Sequence, residues 1–173
     1  MNKIILSADS ACDLDEALKK RYEIHCYPYH VLLGNKEYKD GVDITTDDIY
    51  QIYREQSILP KTAAINVGEF INYFKQWTDQ GYDVVHLALS SALSSTYRNC
   101  CLAAEELKHV YPIDSLSLST GIGLLAIEAA ECIAQGMPAR EIQQKINALR
   151  RNNQVSFVLD TLEFLHAGGR CNG

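Results

Sequence analysis

The sequence predicts an α/β protein: a three-layer α/β/α domain with a mostly parallel sheet, followed by the start of a second, incomplete α/β lobe. Three observations carry that expectation. Short apolar runs of strand length alternate with segments of helical periodicity, the pattern of a parallel sheet built from β-α-β units. Small polar pairs, Asp9-Ser10, Ser90-Ser91 and Asp114-Ser115, follow three of those runs directly, at the strand edge where open α/β sheets bind ligands. The length of 173 residues suits one domain with part of another.

The elements follow in order. Residues 3–7 read as a short strand, and Asp13 is expected to cap a helix reaching about Arg21. Residues 24–33, rich in aromatic and β-branched side chains, read as one strand; Gly34-Asn35 turns the chain and 36–39 pairs back as a hairpin. Thr45-Thr46-Asp47-Asp48 marks a helix start, acidic in its first turn, running to about Gln56. Residues 60–64 form a polar loop of small residues. Val67, Phe70, Ile71, Phe74 and Trp77 then share one helical face, which Gly81 ends. Residues 84–89 are an apolar strand; a helix with apolar positions at 93, 97, 100, 104 and 107 follows. Residues 110–114 are a strand. Residues 118–134 make a buried helix, apolar on most sides, ending at Gly136, and Pro138 opens the next, to about Arg151. Residues 155–159 read as a final strand and 161–167 begin another helix. The domain boundary is expected at 153/154, with 154–173 as the truncated beginning of the second lobe.

A net charge of −6 and a pI near 5.3, with no Lys/Arg-rich run, argue against nucleic acid as a main partner. The longest nearly apolar run, 122–130, is too short to span a bilayer and contains Glu128, so stable membrane insertion is not expected. The six cysteines make no C-x-x-C pair, and Cys100, Cys101 and Cys132 read as small buried hydrophobes. The five histidines show no metal-ligand spacing; His86, within a strand, reads as a packed core residue. The N-terminus enters its strand without a leader pattern, so a cytoplasmic protein with reduced thiols is expected.

The densest chemistry lies at 87–97. An apolar strand runs into a turn carrying five hydroxyls, from Ser90, Ser91, Ser94, Ser95 and Thr96, and then into a helix. Hydroxyls and amides at a helix N-terminus suit an anion. The turn has no Lys, so a single carboxylate or phosphate is expected rather than a nucleoside triphosphate. Ser94 alone could merely cap its helix, Ser90 and Ser91 could merely shape the turn, and Asp9 and Asp114, though possible acids or metal ligands, read as helix caps after strands.

These pieces also form a series. Ser7-Ala8-Asp9-Ser10, Pro28-Tyr29 with Val31, Gly41-Val42-Asp43-Ile44, Pro60-Lys61-Thr62, Ser90-Ser91-x-Leu93-Ser94-x-Thr96-Tyr97, Asp114-Ser115, Asp160-Thr161-Leu162-Glu163-x-Leu165 and Gly168-Gly169-Arg170 occur in the order and spacing of the DegV family. The chain resembles the N-terminal part of such a protein. The resemblance implies a carrier, not an enzyme. It holds one long-chain fatty acid between two lobes and presents the carboxylate to a separate ATP-dependent fatty acid kinase, with no cofactor of its own. By motif match, Thr62 and Ser94 hydrogen-bond the carboxylate and Arg170 lies near the head group and the kinase-facing surface; Ser90, Ser91, Ser10 and Asp9, at strand C-terminal ends, are further candidates for the carboxylate site. Two departures stand out: Ala63-Ala64-Ile65-Asn66 where the family carries Ser-Gln-Pro-Ser, and Ser95 where it carries Gly.

Two other functions compete. A serine hydrolase or phosphotransferase of α/β type needs a nucleophile elbow or a phosphate loop, and neither G-x-S-x-G nor a Gly-Lys phosphate loop is present. A non-catalytic interaction fragment is the other alternative.

Overall fold

Strand β1 (Ile4–Asp9) leads through a 3-10 turn at Ser10–Cys12 into helix α1 (Glu16–Arg21), then β2 (Ile24–Tyr27), β3 (His30–Leu33) and β4 (Lys36–Lys39). Helix α2 (Thr46–Gln56), β5 (Lys61–Ala63), α3 (Val67–Thr78), β6 (Asp83–Ala88), α4 (Thr96–Glu106), β7 (Val110–Asp114), α5 (Thr120–Ala134), α6 (Ala139–Leu149) and α7 (Glu163–Ala167) complete the order. This computed structural model describes residues 3–167 and 169. They fall into two compact units: residues up to Tyr27 with Ile65–Val155, and Pro28–Ala64 with the residues from Ser156 onward.

The first unit has the expected α/β architecture, a parallel sheet flanked by helices. Its four strands run parallel in the order β2-β1-β6-β7. Alternation along the central strands separates two faces. Leu6, Ala8, Val85, Leu87 and Ile113 pack with Ile122, Leu125, Ile142 and Ile146 of α5 and α6 into a closed apolar layer. On the opposite face, Phe70 and Phe74 of α3 stack on each other and meet the His86 ring edge-on. A capping box fixes where α3 begins: Asn66 accepts from the Glu69 amide at 3.0 Å and Glu69 accepts from the Asn66 amide at 2.9 Å. At Gly123 of α5 a Cβ would stand 2.7 Å from Leu14 Cδ2 and 3.0 Å from the Cys12 carbonyl oxygen, so the helix packs there only as glycine.

The second unit holds a small antiparallel sheet, β4-β3-β5. Val31, Leu33 and Ile44 form its core, with Ile49, Ile52 and Ile58 packed against them. Gly34, at φ +60°, makes the expected hairpin turn. Helix α2 starts where expected, and Thr45 and Asp48 form a capping box there.

The structure corrects four sequence expectations. Asp15, not Asp13, caps α1, accepting from the Leu18 amide at 2.7 Å; the 3-10 turn uses up the residues just after β1 and leaves Asp13 in the left-handed region at φ 48°. The 24–33 run is two strands in two different sheets, broken at Pro28, which has no N–H to continue a ladder. The polar loop at 60–64 contains β5, with Thr62 opposite Val31. Residues 155–159 are not a strand: composition alone does not make one without a neighbour to take its hydrogen bonds, and Val158 stays 98% exposed. Among the described residues no helix is long and apolar enough to cross a membrane.

Candidate functional site

The parallel strands end together. Asp9, Ala88 and Asp114 close β1, β6 and β7, and the hydroxyl-rich turn leaves the sheet from β6. That turn is strongly self-organised. The Leu93 and Ser94 amides both donate to the Ser90 carbonyl, at 2.9 and 3.2 Å, and the Ala92 amide donates to Ser90 Oγ at 3.3 Å. The Ser91 hydroxyl donates to Asp114 Oδ2 at 2.6 Å and its amide to Asp114 Oδ1 at 3.1 Å. Ser90 is buried and its amide donates to the Ser117 carbonyl. Ser90 and Ser91 therefore shape the turn, and Asp114 ties it to β7 rather than capping a helix. Arg150 holds that end of β7 in turn, donating to the Asp114 carbonyl at 2.6 Å.

Ser94 stands where α4 begins. Its Oγ accepts from the Thr96 amide at 3.2 Å and lies 2.9 Å from Thr96 Oγ1. Thr96 is fully buried while Ser94 is only half-buried. When Thr96 supplies its hydroxyl proton to this pair, the Ser94 hydroxyl proton is left for another acceptor. Tyr97, next along, is half-buried, and burial pushes its phenol up to about 12.

Asp9, like Asp13 and Asp114, departs from the capping expectation. Its Oδ2 accepts from the Leu89 amide at 2.7 Å and its Oδ1 meets His86 Nε2 at 3.1 Å. His86 Nδ1 lies 3.0 Å from Ser7 Oγ, which lies 2.9 Å from the Tyr73 hydroxyl, and Tyr73 donates to the His25 carbonyl at 3.3 Å. His86 is in the core, as expected, but as the centre of a polar chain that sequence reasoning missed. The alternation Ser7-x-Asp9 opposite His86 is its only sequence signal. The order Ser–His–Asp resembles a hydrolase triad, yet Ser7, His86 and Asp9 are all at 0% exposure. Burial of that kind clamps β1 to β6 and sets Leu89, the entrance to the turn.

The remaining predicted residues are scattered over both units. Ser10 opens the 3-10 turn, half-buried. Thr62 is exposed on β5 of the second unit. Arg170 lies outside the described residues. The departing motif residues have structural work: Ile65 is fully buried and its carbonyl accepts from Asn99 Nδ2 at 2.8 Å, and Asn66 is the cap of α3. Among the described residues, no group of three or more His, Cys, Asp or Glu is placed to hold a metal ion.

Comparison with known proteins completes the description. The profile of a family described as "Uncharacterised protein, DegV family" matches residues 3–173. A DegV domain-containing protein of Clostridium perfringens is 33% identical over 98% of this chain and 62% of its own length. A fatty-acid-binding DegV family protein of Thermus thermophilus, solved as a structure, is 31% identical with a TM-score of 0.84, covering 97% of this chain and 60% of its own. A stearic-acid-binding protein of Eubacterium ventriosum is 28% identical with a TM-score of 0.74, over 86% of this chain and 53% of its own. The chain thus spans about three fifths of the length of the Clostridium relative.

Proposed function

This chain belongs to the DegV family, and from that premise we propose that it binds a long-chain fatty acid and presents the carboxylate to a separate ATP-dependent acyl kinase. The observation that carries the reading is the likeness, over 97% of this chain, to a Thermus protein solved as a fatty-acid binder. In this reading the protein contributes binding and the kinase contributes catalysis, in the cytoplasm, without a cofactor on the carrier.

Physical chemistry supports this division of labour. A buried carboxylate needs its lone pairs satisfied, or desolvation costs several kcal/mol. Hydroxyl donors meet that need without a fixed cation, which suits an acid that must be handed on. The tail supplies affinity, at about 0.8 kcal/mol per buried CH₂. Ser94 and Thr62 are the proposed carboxylate donors; Ser94 has the half-buried hydroxyl, and Thr62 is assigned from the motif alone. Arg170 is proposed near the head group and the kinase. Residues 154–173 are proposed to open the lobe that covers the acyl chain.

The test is mass spectrometry of organic extracts from the protein purified out of a bacterial host. One long-chain acid per chain is expected of the full-length protein, and only weak lipid binding of residues 1–173 alone. Absence of any acid from the full-length protein, together with no uptake of added palmitate or oleate, overturns the proposal.

A further inference from the structure

Away from the hydroxyl turn, two thiols face each other. Cys12, in the 3-10 turn after β1, and Cys26, on β2, have their sulfurs 3.5 Å apart. The parallel register brings them together: Cys26 sits opposite Ala8, and the turn folds Cys12 back over that end of β2. A disulfide bond is about 2.05 Å long, so the two sulfurs have about 1.5 Å to close. We propose that Cys12 and Cys26 are a redox-modified pair, which hydrogen peroxide or a small-molecule disulfide converts reversibly into an intramolecular disulfide.

The surroundings favour the reaction at this pair. The Cys26 thiol, donating to Cys12, brings Cys12 down to about 7, and the Lys19 ammonium of α1 adds to the effect against the opposing charge of Asp13. Cys26 is pushed up in return, since its proton is the one shared, with Glu16 adding to that direction. The pair thus carries one thiolate near neutral pH. Cys12, the sulfur that ionises, is buried at 1% exposure, so a small oxidant must reach it past the half-buried Cys26. Cys100 is fully buried and burial raises it well above the ordinary range; Cys101 is raised as well.

The step balances. A thiolate attacks one peroxide oxygen, the O–O bond breaks, and a sulfenic acid forms with release of hydroxide, which takes up a proton to become water. The second sulfur attacks the sulfenic sulfur and expels a second hydroxide, again protonated to water. Two electrons pass from the sulfurs to peroxide, two thiol protons leave, and one S–S bond results.

The experiment treats the folded 173-residue chain with a small excess of hydrogen peroxide, blocks free thiols with iodoacetamide and maps the digest by mass spectrometry. A single dominant 12–26 linked peptide is expected, two hydrogens lighter than the reduced pair and lost on treatment with dithiothreitol. Cys26→Ser is expected to abolish the link and leave Cys12 to proceed to sulfinic acid. The proposal fails if linked peptides join either residue mainly to another cysteine. It also fails if no link forms while other thiols oxidise, or if urea-unfolded chain gives the same share of 12–26 link, because the fold then directs nothing.

Discussion

His86 Nε2 lies 3.1 Å from Asp9 Oδ1 with both side chains at 0% exposure. The carboxylate also takes the Leu89 amide, so one buried group joins two neighbouring strands at the point where the hydroxyl turn departs. Asp9→Ala takes the carboxylate away from the Leu89 amide and the buried His86 ring, and a loss of about 2–5 kcal/mol is expected in urea unfolding. A fluorophosphonate probe should leave Ser7 unlabelled in the folded protein; labelling there would revive the hydrolase alternative.

Ser94→Ala and Thr62→Ala should each weaken acyl retention by about 1–3 kcal/mol, read by displacement of a fluorescent fatty acid. Ser94→Ala also removes the acceptor for the Thr96 amide, so its unfolding midpoint is measured in parallel. Unchanged retention in both variants places the carboxylate elsewhere.

Asn66→Ala opens the capping box of α3 and should cost about 1 kcal/mol in thermal or urea unfolding. Restoring Ser or Asp at 66 should recover most of it, since either presents an acceptor to the Glu69 amide.

Gly123→Ala sets two effects against each other. Alanine is the better helix former by up to about 1 kcal/mol. Its Cβ, however, would stand 3.0 Å from the Cys12 carbonyl, a backbone atom, and 2.7 Å from Leu14. Overpacking of this kind costs about 1–3 kcal/mol, so a net loss of stability is expected by urea titration.

The thiol pair gives a pH signature. Cys12 is brought from an ordinary 9.0 down to about 7, so its thiolate, read by absorbance near 240 nm, should rise around neutral pH and vanish in Cys12→Ser. A depressed folded value stabilises the fold above the unfolded value, and the gain is lost as pH falls from 9 toward 7. Above 9 the Cys12 gain stops growing because the unfolded thiol is then ionised too, while Cys26, raised in the folded protein and ionised only in the unfolded chain, makes stability fall. Relative to the doubly serine-substituted protein, stability should therefore climb from pH 7 to 9 and then decline.

The parallel sheet was readable from the alternation of short apolar runs and helical periods, because its helices use one face each and its strands are buried. The hydroxyl turn was readable because its small polar residues interrupt that pattern. What escaped was everything set by the third dimension. Pro28 divides what composition presents as one strand, and only pairing sends its halves to different sheets. β5 is a strand because Val31 lies across from Thr62, which 60–64 alone does not announce. The Ser7–His86–Asp9 chain depends on residues nearly eighty positions apart meeting on one pleated face.

Strand β1 sits in the interior of its sheet, with β2 on one side and β6 on the other. Leu6 and Ala8 belong to the layer of Leu125 and Ile142, while Ser7 and Asp9 belong with His86. Inserting or deleting a single residue there would exchange the two sets, thrusting a carboxylate among aliphatic side chains and methyl groups against an imidazole. Changes of length in this part of the gene should survive only past Asp9, beyond the strand, so insertion tolerance mapped residue by residue should drop to nothing from Leu6 to Asp9 and recover once the ladder ends.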